Sequence, residues 1–328
     1  MLETMKMNFI NTLLASTILF PLVGCSKEDV SLTSMKCEYV NAGEEAVIYG
    51  KGFNAEDEVY FSHSLKAEIV KSKSNDSVLT VIVPEGAVPG KLAYVTKKGK
   101  KVFSNFVFRD NRGIIVDFDD RLATWGGYDP IDEEGEPITF VRGDQDSIYK
   151  LPTTPPEAIS GHYGLLYGVY SEAWTMKKET FLQYCANVDD GGRGNVSVAG
   201  DNAVKPISEL CLKFEVFVPK ECAFQCRPRV EIFFGPYQSV NKHGREMSPI
   251  CAWEPCGSDL EGFYTDGWQT ISIPLKEFKH SYESDALEIG PINLKTATNM
   301  SFVLIGDPGK TPTENFMCVD NFRIVPIK

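Results

Sequence analysis

The side chains able to do chemistry are mostly carboxylates: the 328 residues hold 45 Asp and Glu against 33 Lys and Arg, with only four His. Two acidic pairs, Asp117/Asp119 and Asp189/Asp190, offer material for general acid–base work. Cutting a glycosidic bond needs two carboxyl groups about 5 to 9 Å apart across a cleft. Neighbours on a strand or turn point apart or share solvent, and so acidic a chain contains such pairs by chance. No Gly-x-Ser-x-Gly elbow, His-Glu-x-x-His or phosphate-binding loop is present. Gly191-Gly192-Arg193-Gly194 lacks the dinucleotide spacing and reads as a turn. The residues point away from an enzyme.

Metal binding has two candidate sets. Asp117, Asp119 and Asp120 end the first strand of the expected second domain, and Asp320 lies in its last strand. If those strands pair, Asp117, Asp119 and Asp320 could gather around a structural Ca²⁺. An acidic turn plus a strand-end Asp is the simpler account. Cys222, Cys226, Cys251 and Cys256 could be drawn as a four-thiolate zinc site, but C-x3-C and C-x4-C lie outside the tighter knuckles of structural zinc. Disulfides, or unpaired thiols above all, are preferred. Cys211 and Cys318 sit in apolar runs and read as small core hydrophobes. A net charge of −12 repels phosphate backbones and argues against a nucleic-acid partner. Neutral sugars, cations and proteins remain open.

The elements that must position these residues are strands. Phe9 to Val23 is too short and too polar for a transmembrane helix of about 20 apolar residues, and it reads as a secretory leader. From Val30 to Asp110, short β-rich runs such as Ala46-Val47-Ile48-Tyr49 and Glu58-Val59-Tyr60-Phe61 are punctuated by Gly, Pro and Asn, the pattern of a small β-sandwich. Gly50 and Gly52 bracket a turn expected to need positive φ, with Phe53 as a core plug. A polar stretch near Asp110 to Gly113 marks a boundary. Beyond it, Leu210 to Pro219 alternates apolar with mixed positions, predicting one buried and one exposed face. The segments near Val230, Thr270, Met300 and Phe316 follow suit, and Leu275 to Phe278 is the only short helix candidate. The fold class expected is all-β: an immunoglobulin-like sandwich, then a larger jelly-roll sandwich.

Six stretches carry four family resemblances. Leu22-Val23-Gly24-Cys25 resembles a bacterial lipobox, which implies removal of residues 1–24, acylation of Cys25 and a mature chain of 328 − 24 = 304 residues. Ser26-Lys27-Glu28-Asp29 resembles the acidic signal that exports lipoproteins to the outer surface, with residues 25–29 as a tether. Gly43-x4-Ile48-x-Gly50-x-Gly52-Phe53 and Val81-x-Val83-Pro84-x-Gly86-Ala87-x-x-Gly90 resemble an IPT/TIG domain over residues 30–110. Its members act as spacers or docking modules, and no exposed aromatic cluster in this stretch suggests a ligand of its own. Asp266-Gly267-Trp268-Gln269-Thr270-Ile271-Ser272-Ile273-Pro274-Leu275 and Asp320-Asn321-Phe322-Arg323-Ile324-Val325 are similar to strands of carbohydrate-binding jelly rolls, here spanning 111–328. In this order the parts resemble a surface glycan-binding lipoprotein of a polysaccharide-utilisation system, whose C-terminal domain binds xyloglucan or a related β-glucan. The resemblance implies a non-catalytic, lipid-anchored, outer-membrane protein exposed at the cell surface. Such a protein passes polysaccharide to enzymes and a TonB-dependent transporter.

A pyranose ring offers an apolar face and a rim of hydroxyls, so binding needs flat aromatic surfaces and planar polar groups. Trp253 is the first choice for stacking, in a loop-like stretch where the family pattern Trp-x-Pro-Trp is matched at Trp253 and Pro255 but departs at Cys256. That departure implies a shorter platform or another ligand. Trp174, Trp125 and Tyr128 could line the same cleft, Tyr237 is a weaker candidate, and Trp268 reads as core. Glu254, Gln183 and Lys213 are candidate hydroxyl partners. The rival functions are a glycoside hydrolase and a protein-binding adhesin on the same sandwich.

Overall fold

The computed structural model describes residues 29–121, 125–126, 153–170, 181–185, 196–223, 229–235, 249–255, 262–281, 284–305 and 313–327. The leader and Cys25 lie outside them. So do Tyr128, Trp174, Asp189, Asp190, Cys226, Tyr237 and Cys256.

In the first unit, β1 (Ser31–Met35), β2 (Glu45–Lys51), β3 (Glu58–Phe61), β4 (Leu65–Ile69), β5 (Val78–Ile82), β6 (Ala93–Val95) and β7 (Lys101–Phe103) pair antiparallel in the order β1-β2-β5-β4-β3-β6-β7. The sheet rolls on itself, because the Asn105 amide just past β7 donates to the Leu32 carbonyl of β1 at 2.9 Å. Alternate residues line the interior: Ala46 and Ile48, Val59 and Phe61, Leu79 and Val81 are all buried. The two glycines after Tyr49 serve different needs. Gly52 has the positive φ expected of it, +72°. Gly50 is needed for space instead, since a Cβ there would sit 2.0 Å from the Ser31 carbonyl oxygen and 2.5 Å from the ring of the buried Phe53.

The second unit is a sandwich. One sheet runs β10 (Gly164–Tyr170), β19 (Thr313–Pro326), β12 (Leu210–Phe217), β15 (Gln269–Pro274), with β8 (Ile114–Val116) also beside β19. The facing sheet runs β17 (Ser284–Glu288), β16 (His280–Ser281), β14 (Ile250–Trp253), β13 (Arg229–Gly235), β18 (Asn299–Ile305), β11 (Phe181–Cys185), β9 (Trp125–Gly126). Phe214 of β12 and Phe322 of β19 stack at 5.0 Å, and Phe302 of β18 meets both edge-on at 5.5 and 5.3 Å. Such pairs add about 0.5–1.5 kcal/mol each beyond burial. The helix candidate is a 3-10 turn over Leu275–Glu277. The first and last strands of the unit do pair, Val116 opposite Phe322.

The expectation of an exposed face on β12 is overturned. Leu212, Phe214 and Val216 face the sandwich core, while Glu215, on the other side, is equally buried because that side packs against the first unit. Strand β19 is buried on both sides from Phe316 to Val325. A bulge at Asn321, where φ is +49°, lets Val319 and Phe322 both reach the core although they are three residues apart, and turns Arg323 to the seam.

In that seam the Arg323 guanidinium, with no exposure, donates to Glu215 Oε2 at 2.8 Å and Oε1 at 3.0 Å. It also donates to Glu38 Oε2 of the first unit at 2.8 Å and lies 5.0 Å over the Tyr39 ring. Lys213 Nζ pairs with the other Glu38 oxygen. Thr270 Oγ1 donates to Glu215 at 2.8 Å and accepts from the Glu38 amide at 2.7 Å. Burial pushes the Glu215 carboxyl up, against the pull of Arg323. Burial also opposes the charge on Arg323, but Glu215 and Glu38 outweigh it and raise its pKa above the ordinary arginine value. Around these charges lie Tyr163, Phe217 and Trp268, so one apolar cluster runs across both units.

Candidate functional site

Strand β14 is stopped by Glu254-Pro255, and its last residue is Trp253. Trp253 thus ends a strand, where a loop was expected. Alternation along β14 turns Cys251 and Trp253 to the core side, opposite Ile232 and Val230 of β13. The indole is half-buried. Its ring is held edge-on by Phe214 at 5.4 Å and by Phe263 at 5.7 Å, interplanar angles 80° and 83°. Two orthogonal ring contacts fix its plane, and part of the residue stays exposed. Glu254, the next residue, is exposed. Exposed Tyr264 follows Phe263, with the Lys220 ammonium 5.5 Å from its ring centroid.

Trp125 lies on the same sheet, four strands away. The register aligns Trp125, Gln183, Ser301, Phe233, Ile250 and His280 in one row across six strands. Five inter-strand steps of about 4.8 Å give it a length of about 24 Å. Its neighbouring row, Gly126, Leu182, Phe302, Ile232 and Cys251, belongs to the core side, so the positions of Trp125 and Gln183 are on the opposite face from that of Trp253. The middle of the outer row is covered, with Ile250 and Ser301 fully buried. The register thus pairs Trp125 with Gln183, on the face away from the position of Trp253. Trp268 is buried as expected, although in the seam: its ring meets Tyr163 at 5.3 Å and Phe217 at 5.9 Å, and Nε1 donates to the Glu157 carbonyl at 3.0 Å. Lys213 is engaged with Glu38, which removes it as a hydroxyl partner.

Phe263 and Tyr264 were not anticipated. The adjacent rings after Gly262, whose φ is +87°, were the available signal, but only the fold shows that the turn brings Phe263 onto Trp253.

The proposed calcium site needs correction. Asp117 Oδ1 accepts the amides of Asp119, Asp120 and Arg121 at 3.2, 3.1 and 2.7 Å, closing its own turn. Asp119 Oδ1 accepts the His162 amide at 2.8 Å and lies 2.9 Å from its Nδ1. Asp320 accepts from the Asn321 amide at 2.7 Å and Ser160 Oγ at 3.2 Å. Burial pushes the Asp320 carboxyl well above the carboxylate range. Among the described residues no three His, Cys, Asp or Glu side chains converge on a metal position. Cys211 and Cys318 are buried and outside disulfides. Burial pushes the Cys251 thiol up to about 12, far from a thiolate nucleophile.

Residues 108–326 match the family described as the surface glycan-binding protein B xyloglucan binding domain. Among solved structures the chain is similar to surface glycan-binding protein PbSGBP-B from Prevotella bryantii, at 19% identity and a TM-score of 0.64, covering 91% of this chain and 77% of that one. It is also similar to the SGBP-B of a complex xyloglucan utilization locus in Bacteroides uniformis, at 19% identity and a TM-score of 0.54, covering 90% and 73%. A third structure, solved with a xylogluco-oligosaccharide, matches at 17% identity and a TM-score of 0.57; 90% of this chain spans 58% of that one. No curated protein matches the chain.

Proposed function

Because the chain belongs to the surface glycan-binding protein B xyloglucan-binding-domain family, we propose that it holds xyloglucan or a related β-glucan at the cell surface, with Trp253 as the stacking surface. It is a non-catalytic glycan binder. The observation that carries the residue assignment is the half-buried indole of Trp253, locked edge-on by Phe214 and Phe263. A locked ring loses little freedom when a sugar face settles on it. Trp125, with Gln183 beside it, and Trp174, Tyr128 and Tyr237 serve further subsites on this reading. The relative solved with a xylogluco-oligosaccharide supports the choice of ligand class. Residues 1–24 are a leader, acylated Cys25 anchors the chain in the outer membrane, and the 30–110 unit is an IPT/TIG spacer. The polymer then passes to a TonB-dependent transporter.

Replacing Trp253 with Ala tests the assignment. Retention in xyloglucan affinity gels should weaken about thirtyfold, the loss typical of a truncated aromatic hot spot. Unchanged retention by a folded variant removes Trp253 from the site.

A further inference from the structure

The first unit carries an aromatic trough of its own. Across β4, β3, β6 and β7 the register aligns Lys66, Tyr60, Ala93 and Phe103 in one row, and Glu58, Val95 and Lys101 in the next row on the same face. This is the outer face, because the alternate residues Val59, Phe61 and Tyr94 fill the interior. Phe103 is 56% exposed, Tyr60 is half-buried, and between them Ala93 has almost no exposure. Two rings thus flank a floor kept low by a methyl group. Their backbone positions stand two strand spacings apart, about 10 Å, which is the length of two linked pyranose units in an extended chain. The cavity they border measures about 660 Å³.

The rim is polar and organised. Tyr60 Oη donates to Glu58 Oε2 at 2.5 Å, and Lys66 Nζ meets Glu58 Oε1 at 2.6 Å. The Lys101 ammonium stands 5.1 Å from the centre of the Phe103 ring. Carboxylate, phenol and ammonium groups around an aromatic trough match the hydroxyl rim and apolar face of a sugar. A stable protein interface engages about 20–30 residues a side. This trough offers two rings and two small aliphatic side chains, enough for a disaccharide-sized stretch of polymer and little more.

We propose that the outer face of β3, β6 and β7 is a second, weaker glycan-binding surface that engages the same polysaccharide chain as the larger sandwich. The proposal rests on the glycan-binding reading above and adds a contact in the unit otherwise read as a spacer. Two linked weak contacts raise retention of a long polymer more than that of a short oligosaccharide, which cannot reach both.

The test uses the full chain in xyloglucan affinity gels, with Phe103→Ala and Phe103→Tyr beside the wild type and circular dichroism as the folding check. Phe103→Ala should weaken retention by polysaccharide about fivefold, the loss of one stacking contact, and Phe103→Tyr should restore it. A wild-type chain that is not retained sinks the glycan reading and this inference with it. Wild-type retention with an equally retained Phe103→Ala chain overturns this inference alone.

Discussion

Arg323 shows how much one side chain decides here. Its guanidinium holds two buried carboxylates, Glu215 from its own sandwich and Glu38 from the first unit. Replacing it with Met should cost about 3–5 kcal/mol, because removing one partner of a buried ionic set leaves the others without compensation. Urea unfolding of Arg323→Met measures this, and a change below about 1 kcal/mol would refute it. The pH dependence has a definite sign. Arg323 pulls the Glu215 pKa down against burial, so its loss lets the folded value rise further above that of the unfolded chain. A raised carboxyl contributes stability below the unfolded pKa and loses it as pH rises through the folded one. The deficit of Arg323→Met should therefore be largest near neutrality and shrink toward pH 4. In sequence, Lys213 and Glu215 look like the solvent side of a strand. Nothing local distinguishes a polar face that meets water from one that meets paired charges 108 and 177 residues away.

Among the elements, strands and their inward faces were legible because alternation is a local property. The β2, β12 and β18 segments bury the residues that alternation picks out. Gly50 was legible as necessary, but for a different reason: its missing Cβ lets β1 lie on β2. Gly50→Ala should weaken the first unit by about 1–3 kcal/mol, as overpacking does, while Gly52→Ala acts through backbone strain. Thermal unfolding checks this, and an unshifted Gly50→Ala midpoint would contradict it. Register was not legible. Whether Trp125 and Trp253 share a face, or Tyr60 and Phe103 flank one trough, depends on pairing across strands distant in sequence. The sequence suggested no aromatic cluster in residues 30–110 because those rings lie 43 residues apart and meet only through Ala93.

For the whole molecule, the buried seam joins the first unit to the sandwich through charges, rings and a shared apolar cluster. That the chain folds as strands was readable from its short alternating runs, whereas the depth of contact between its two units was not. The seam sets the orientation of the sandwich on the first unit, so a polymer lying on both meets two surfaces at a fixed spacing. Everything depends on the chain holding a β-glucan without cutting it. Titration calorimetry of xyloglucan into the purified protein, with reducing ends assayed in the same sample, tests that directly. Saturable heat without new reducing ends is the predicted result; no binding heat across β-glucans, or a rise in reducing ends, would contradict it.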